Sequence, residues 1–296
     1  MRHIFFANVM ILIFFSTLVS QDIVTQGATL QKLADNFKFT EGPAVNTFGD
    51  VYFTDQPNDR ILVWRNNESL ETFMQPSGRA NGLCFDDDGN LWACADELNQ
   101  LWRISPDKKV DIILDNYAGN LFNGPNDLWI SPDGAVYFTD PYYRRDYWTR
   151  EQSPLPVKGV FYLPPGATKA IRVVEDLVQP NGIIGTPDGK KLFVSDIKDK
   201  KTYSFKIKRN GELRGKKLFC KMGSDGMTLD DRGNVYLTGK GVTVFNKKGK
   251  QIAHINVPEP WTANVCFGGA DKNSLFITSS TSLYKLSMTT KGVGSQ

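Results

Sequence analysis

Six positions along the chain open copies of one repeated unit, and their side chains define the chemistry on offer. They are Glu41, Asn81, Asn126, Asn181, Asp225 and Ala263. Five carry a carboxylate or a carboxamide, and none is basic. Asn and Asp favour turns and strand starts for local reasons, which accounts for one or two of them. Five of six at one place in a repeat point to a shared site. These groups offer a cation only oxygen. Hard oxygen donors select calcium, magnesium or manganese ahead of zinc or copper. Two carboxylates balance a divalent ion, and neutral amides complete its shell. Ligands recruited from separate strands, with water filling the gaps, suit the loose coordination of calcium better than the strict octahedron of magnesium. Calcium is the expected cofactor, with Mg2+ and Mn2+, then Zn2+, as alternatives.

Nucleophilic triads find little support. The two histidines are His3 and His254, and His254 lies on a strand-like run of the fifth unit. One histidine cannot form a dyad, and a triad has only His254 to draw on. The four cysteines, Cys84, Cys94, Cys220 and Cys266, lack the close pairing of a zinc site. Their even count permits disulfides in three connectivities. Cys84 and Cys94 flank one hairpin. If Phe85 faces Leu91, Cys94 falls opposite Gly82, which argues against a bridge between them. Buried thiols are expected for some of the four.

The elements that must position the six leads are clearest in residues 123–140. Leu128-Trp129-Ile130 reads as a strand, Pro132-Asp133-Gly134 as a turn and Val136-Tyr137-Phe138 as a second strand. The same plan recurs behind each lead, as in Asn81-Gly82-Leu83-Cys84-Phe85 and Leu91-Trp92-Ala93. The leads are spaced by 40, 45, 55, 44 and 38 residues. Third strands follow, such as 60–64, 100–104 and 159–163, and 71–73, 111–113 and 171–174 fit outer strands. A period near forty with several strands per unit predicts an all-β, six-bladed β-propeller. In a propeller the first strand of each blade lines the central channel, so the leads meet near the axis. The longest step contains an insert, residues 141–158, with Tyr142, Tyr143 and Trp148. Loops joining second to third strands emerge where first strands begin. The insert is therefore expected to fold over the lead end of the channel, with Trp261 also near its mouth.

Composition agrees. The 296 residues are ample for a core, and 12% aromatics with 26 glycines favour an all-β chain. The net charge of +3 is scattered, which argues against a nucleic-acid partner. At the N-terminus, Arg2 and His3 precede an apolar run over 4–19 that stops at Ser20 before Gln21-Asp22. This reads as a cleaved signal peptide, 1–20, ahead of a single domain, 21–296. The protein is expected in the secretory lumen or outside the cell, without stable membrane association. Asn67-Glu68-Ser69 is a candidate glycosylation site.

Glu41-Gly42-Pro43, Pro125-Asn126-Asp127, Pro180-Asn181-Gly182 and Ser224-Asp225-Gly226-Met227 recur in order. Through them the chain resembles the SMP-30/gluconolactonase/LRE family of six-bladed propellers, over roughly 33–286. The resemblance implies that Glu41, Asn126, Asn181 and Asp225 hold a divalent cation, usually calcium. It implies that Asp225 is also the catalytic residue. Asn126 and Asn81, in the same ring, are candidates for contacting a small-molecule substrate. Some lactonase members place an arginine two residues before the third-blade Asn, where this chain has Gly124. Arg79, just before Asn81, is a candidate replacement cation or a surface arginine. The expected function is hydrolysis of a lactone or similar small ester. The alternatives are an organophosphate-type phosphotriesterase on the same site and a non-catalytic, metal-containing binding protein.

Overall fold

The computed structural model describes residues 23–294 and folds into six four-stranded antiparallel sheets, the blades of a β-propeller. The expected signal peptide, 1–20, lies outside the described residues. The inner strands are Thr40–Val45, Ala80–Phe85, Leu128–Ile130, Pro180–Gly185, Met227–Leu229 and Thr262–Gly268. All but the last residue of Leu128–Ile130 are buried along their length. Outer strands such as Leu70–Met74 face solvent. The core therefore lies between blades, around the channel.

Local chemistry sets each first hairpin. A polar side chain opens the turn and accepts backbone N–H groups ahead of it. Asn46 Oδ1 accepts from Phe48 and Asp50, Asp86 Oδ1 from Asp88 and Asn90, and Asp230 Oδ1 from Arg232 and Asn234. The fourth turn residue sits at positive φ, where glycine has no Cβ to clash: Gly49, Gly89, Gly134, Gly189 and Gly233 in five blades. In the sixth blade Lys272 holds φ +52° instead, which is why that unit is the faintest in the sequence. The register brings Phe85 opposite Leu91 and Leu128 opposite Phe138.

Glycine also sets the width of the channel. A Cβ on Gly82 would lie 2.6 Å from the Asn126 carbonyl oxygen, and one on Gly182 would lie 2.6 Å from that of Asp225. The glycine after a lead thus lets the next blade's lead approach to backbone contact. Gly82 N–H donates to Asn126 O at 2.8 Å, and Gly226 N–H to Ala263 O at 2.8 Å.

Two outer strands lie beyond those read from the sequence, while the strand-like run that holds His254, Gln251–Ile255, completes blade five. Leu213–Cys220 completes blade four. Gln31–Ala34, ahead of blade one, pairs with Ser282–Ser287 and completes blade six. One sheet therefore holds both ends of the ring. All four cysteines are buried thiols. Burial pushes Cys84 up to about 12 and Cys220 up to about 11, so neither is a ready nucleophile.

Candidate functional site

The inner strands bring the leads to one end of the channel. Glu41, Asn81, Asn126 and Asn181 are 3%, 4%, 5% and 2% exposed, and Asp225 keeps partial access to solvent. Asn181 Nδ2 donates to Asp225 Oδ1 at 2.7 Å and to the Tyr143 hydroxyl at 2.8 Å. Trp261 Nε1 donates to Asp225 Oδ2 at 2.6 Å. Glu41 accepts the Gly42 N–H at 3.0 Å. The side-chain amides of Asn81 and Asn126 have no bonded protein partner among the described residues. Buried amides left this way face the channel's contents.

Negative charge is concentrated here, and among the described residues neither Glu41 nor Asp225 is in an ion pair; Arg145 acts from a distance. Burial, then the Asp225 charge, pushes the Glu41 carboxyl well above the usual range. Burial pushes Asp225 up to about 6, against the opposing pull of Trp261, Asn181 and Arg145. Two further polar residues lie with them. Asp127 accepts Leu128 N–H at 3.0 Å, and burial pushes it up to about 7. The Asn264 side chain favours the charged form of both Glu41 and Asp127, against the effect of burial. Neither was singled out from the sequence, although each directly follows a lead. Asn264 restores an amide to the blade whose lead, Ala263, is apolar.

The insert folds over this end, as its position in the repeat implies. Tyr143 reaches Asn181. Arg145 Nε donates to Asp96 Oδ2 at 2.8 Å, the Tyr147 hydroxyl to the same oxygen at 2.6 Å, and Trp148 Nε1 to the Asp96 carbonyl at 3.1 Å. Arg150 lies flat on Trp148, 3.4 Å from the ring centre, and its Nη2 donates to Asn123 O at 2.9 Å. No side chain fits at Gly124: a Cβ would stand 2.7 Å from Asp96 Oδ1 and 2.9 Å from Trp148. Arg79 is a prop for the insert. Its guanidinium lies 4.4 Å from the Tyr147 ring centre, and Nη1 donates to Pro57 O at 2.9 Å. His254 sits on the outermost strand of blade five and pairs with Thr243 at 3.0 Å.

A cation would find Glu41, Asp225, Asn126 and Asn181 as its donors. No trio of His, Cys, Asp or Glu side chains forms a metal cluster among the described residues, so the set depends on amide oxygens. The donors fit the group: two buried carboxylates repel each other, and Asn126 lacks a partner. Asn181 turns its NH2 toward Asp225, so its amide must rotate to present oxygen.

Comparison with known proteins agrees with the fold. The SMP-30/gluconolactonase/LRE-like family profile matches residues 39–281. The gluconolactonase of Zymomonas mobilis is 27% identical across 91% of this chain and 84% of its own length. An X-ray structure assigned to the gluconolactonases is 31% identical, with a TM-score of 0.86 over 92% of this chain and 96% of that one. The calcium-binding regucalcin of Agrobacterium tumefaciens is 19% identical and shares the fold, with a TM-score of 0.76 over 90% of this chain and 96% of that one. By its profile match, its blades and its channel, the chain belongs to the SMP-30/gluconolactonase/LRE-like family.

Proposed function

We propose that the protein is a secreted, calcium-dependent hydrolase of a lactone or similar small ester, with Asp225 as its catalytic carboxylate. One observation carries the reading: buried Glu41 and partly accessible Asp225 share one channel end, close enough for each to feel the other's charge, with no ion pair to either among the described residues. A divalent ion balances both carboxylates, and Asn126 and Asn181 add neutral oxygen. The gluconolactonase relative and the calcium-binding neighbour support the substrate class and the metal respectively. When bound, the ion supplies a Lewis acid that polarises an ester carbonyl.

The chain's own groups do the rest. Trp261 Nε1 holds Oδ2 of Asp225 and so fixes its orientation. Asp225 takes the proton of the attacking water or attacks the carbonyl carbon itself. With direct attack the ring C–O bond breaks and the alkoxide takes a proton from water. A second water then hydrolyses the resulting anhydride to free the hydroxy acid and the Asp225 carboxylate. Neutralising the site lowers the Asp225 pKa and weakens it as a base, which favours direct attack. Asn81 and Asn126 offer amides to substrate hydroxyls. The insert narrows the mouth and limits bulk water. Secretion rests on the apolar segment at 4–19.

The test uses mature protein recovered from the medium of expressing cells. Lactones and phosphotriesters are assayed with and without chelator, beside Asp225→Ala. Calcium-dependent lactone opening, lost in the variant, is expected. Retention of the chain inside the cell would refute secretion, and chelator-resistant lactone turnover would refute the metal role.

A further inference from the structure

We propose that Arg145 determines specificity at the channel mouth and selects a lactone that carries a carboxylate substituent, an assignment that rests on the lactonase reading above. The guanidinium is engaged on one side only. Nε donates to Asp96 Oδ2 at 2.8 Å, and among the described residues neither terminal nitrogen has a bonded protein partner. The reason lies in Asp96. Its Oδ2 also receives the Tyr147 hydroxyl and Gln56 Nε2, at 2.6 and 3.2 Å, so a single oxygen takes three donors and no two-pronged pair with the arginine forms. The terminal fork is left over.

The guanidinium lies one side chain away from the proposed reacting groups, with Tyr143 between. Arg145 packs 5.6 Å from the centre of the Tyr143 ring. The Tyr143 hydroxyl accepts from Asn181, which donates onward to Asp225. The charge is felt at the site: Arg145 pulls the Asp225 carboxyl down, and Glu41 holds the guanidinium up. The Arg145 side chain is 23% exposed, so a bound molecule can reach it. Its neighbours are not free in the same way. Arg79 packs on Tyr147 and donates to Pro57, and Arg150 packs on Trp148 and donates to Asn123. The nitrogen each leaves without a hydrogen bond, Arg79 Nε and Arg150 Nη1, is buried out of a bound molecule's reach.

A planar pair of N–H donors matches the two oxygens of a carboxylate, whereas a neutral hydroxyl fills only part of it. Once a cation balances Glu41 and Asp225, the site no longer repels an anionic substrate. The insert that carries Arg145 also fills the space above Gly124. Blade three therefore presents its cation from the insert rather than from its inner strand.

The experiment compares kcat/KM for an aldaric-acid lactone, which keeps a free carboxylate, with that for the neutral aldonic lactone of the same ring. The wild type should favour the carboxylated lactone by about 10–100-fold, the worth of one charge-assisted hydrogen bond. Arg145→Leu should bring the ratio near one, chiefly through KM. Arg145→Lys, which keeps charge but not the fork, should fall between. Simple loosening of the insert would slow both substrates and leave the ratio standing. A wild-type ratio near one, or a ratio preserved in Arg145→Leu, overturns the proposal. Calorimetry with the open-chain dicarboxylate and monocarboxylate products, in calcium, separates the two readings. Arg145-dependent preference for the dicarboxylate without turnover of either lactone would sink the lactonase reading and keep the anion site. Equal binding of the two acids in wild type and Arg145→Leu would sink the anion site.

Discussion

Three second strands end in an aspartate at one place in the repeat, where blade two has Ala95, and Asp96, one residue further on, does different work. Asp55 accepts the N–H groups of Lys38 and Phe39, Asp140 those of Asn123 and Gly124, and Asp196 those of Val178 and Gln179. Each ties down the segment that leads into its own inner strand. In blade two that duty passes to Asp59, whose Oδ1 accepts Ser77 and Arg79 N–H at 2.9 and 2.7 Å. Asp96, one residue past that place, anchors Arg145, Tyr147 and Trp148 of the insert. Three blades keep the scaffold aspartate; in blade two Ala95 stands there, a neighbour supplies the hydrogen bonds, and the next residue serves the mouth.

The contrast breaks first at Asp140. Asp140→Ala leaves two buried N–H groups unpaired, and each orphan costs about 1–3 kcal/mol. Chemical unfolding should show a loss of about 2–4 kcal/mol. A change below about 0.5 kcal/mol, the level of ordinary surface substitutions, would show that the backbone finds other partners.

Asp96→Ala should cost less stability, about 1–2 kcal/mol, because it frees a partly exposed arginine rather than buried backbone. Its main effect should be on the insert. Trypsin should cut at Arg144, Arg145 or Arg150 sooner than in wild type, and lactone turnover should drop about tenfold as positioning is lost. Unchanged cleavage and turnover would return Asp96 to the scaffold.

Much of this was legible beforehand, and the gaps have physical causes. The leads showed because one polar residue recurs before each apolar hairpin, and a channel gathers first strands. Gln31–Ala34 did not show because Gln-Lys-Leu-Ala, exposed or half-buried along its length, carries no apolar alternation. Leu213–Cys220 hides for the same reason, being rich in Lys and Arg on an open edge. Ala95 fills the aspartate place of the repeat and Asp96 stands one residue on, so the repeat assigns Asp96 no role. Asp59, at φ +53°, supplies the missing bonds from a turn that carries no such pattern. Arg145 was read as insert sequence, and its pairing across 49 residues with Asp96 leaves no local pattern.

The pH dependence separates site from scaffold more gently. Without cation, the folded-state pKa of Asp225 is raised from 3.8 to about 6, mainly by burial. The folded protein then binds more protons than the unfolded chain. The Asp225 contribution is fully present below about 4 and lost as pH rises through about 6. Melting in chelator should fall across that window, and Asp225→Asn should flatten the fall. Trp261→Phe removes a donor that favours the charged form, so it should move the window upward. A window unmoved in Trp261→Phe would mean that the indole does not govern this carboxyl.

Glu97, next to Asp96, sharpens the comparison from the weak end. It lies 3.8 Å from Arg79 and its side chain is 44% exposed. Glu97→Ala should change stability by less than about 0.5 kcal/mol, and a larger loss would place it in the insert's support.

The central claim is that Glu41 and Asp225 form one cation-dependent catalytic site. The most direct measurement follows thermal melting and lactone opening together through a calcium titration of chelator-treated protein, for wild type and Asp225→Asn. Free calcium at about 100 times its dissociation constant should stabilise the wild type by roughly 2.7 kcal/mol and restore turnover in parallel, while Asp225→Asn stays inactive throughout. Full turnover in chelator, with a melting temperature indifferent to calcium and an active Asp225→Asn, would contradict it.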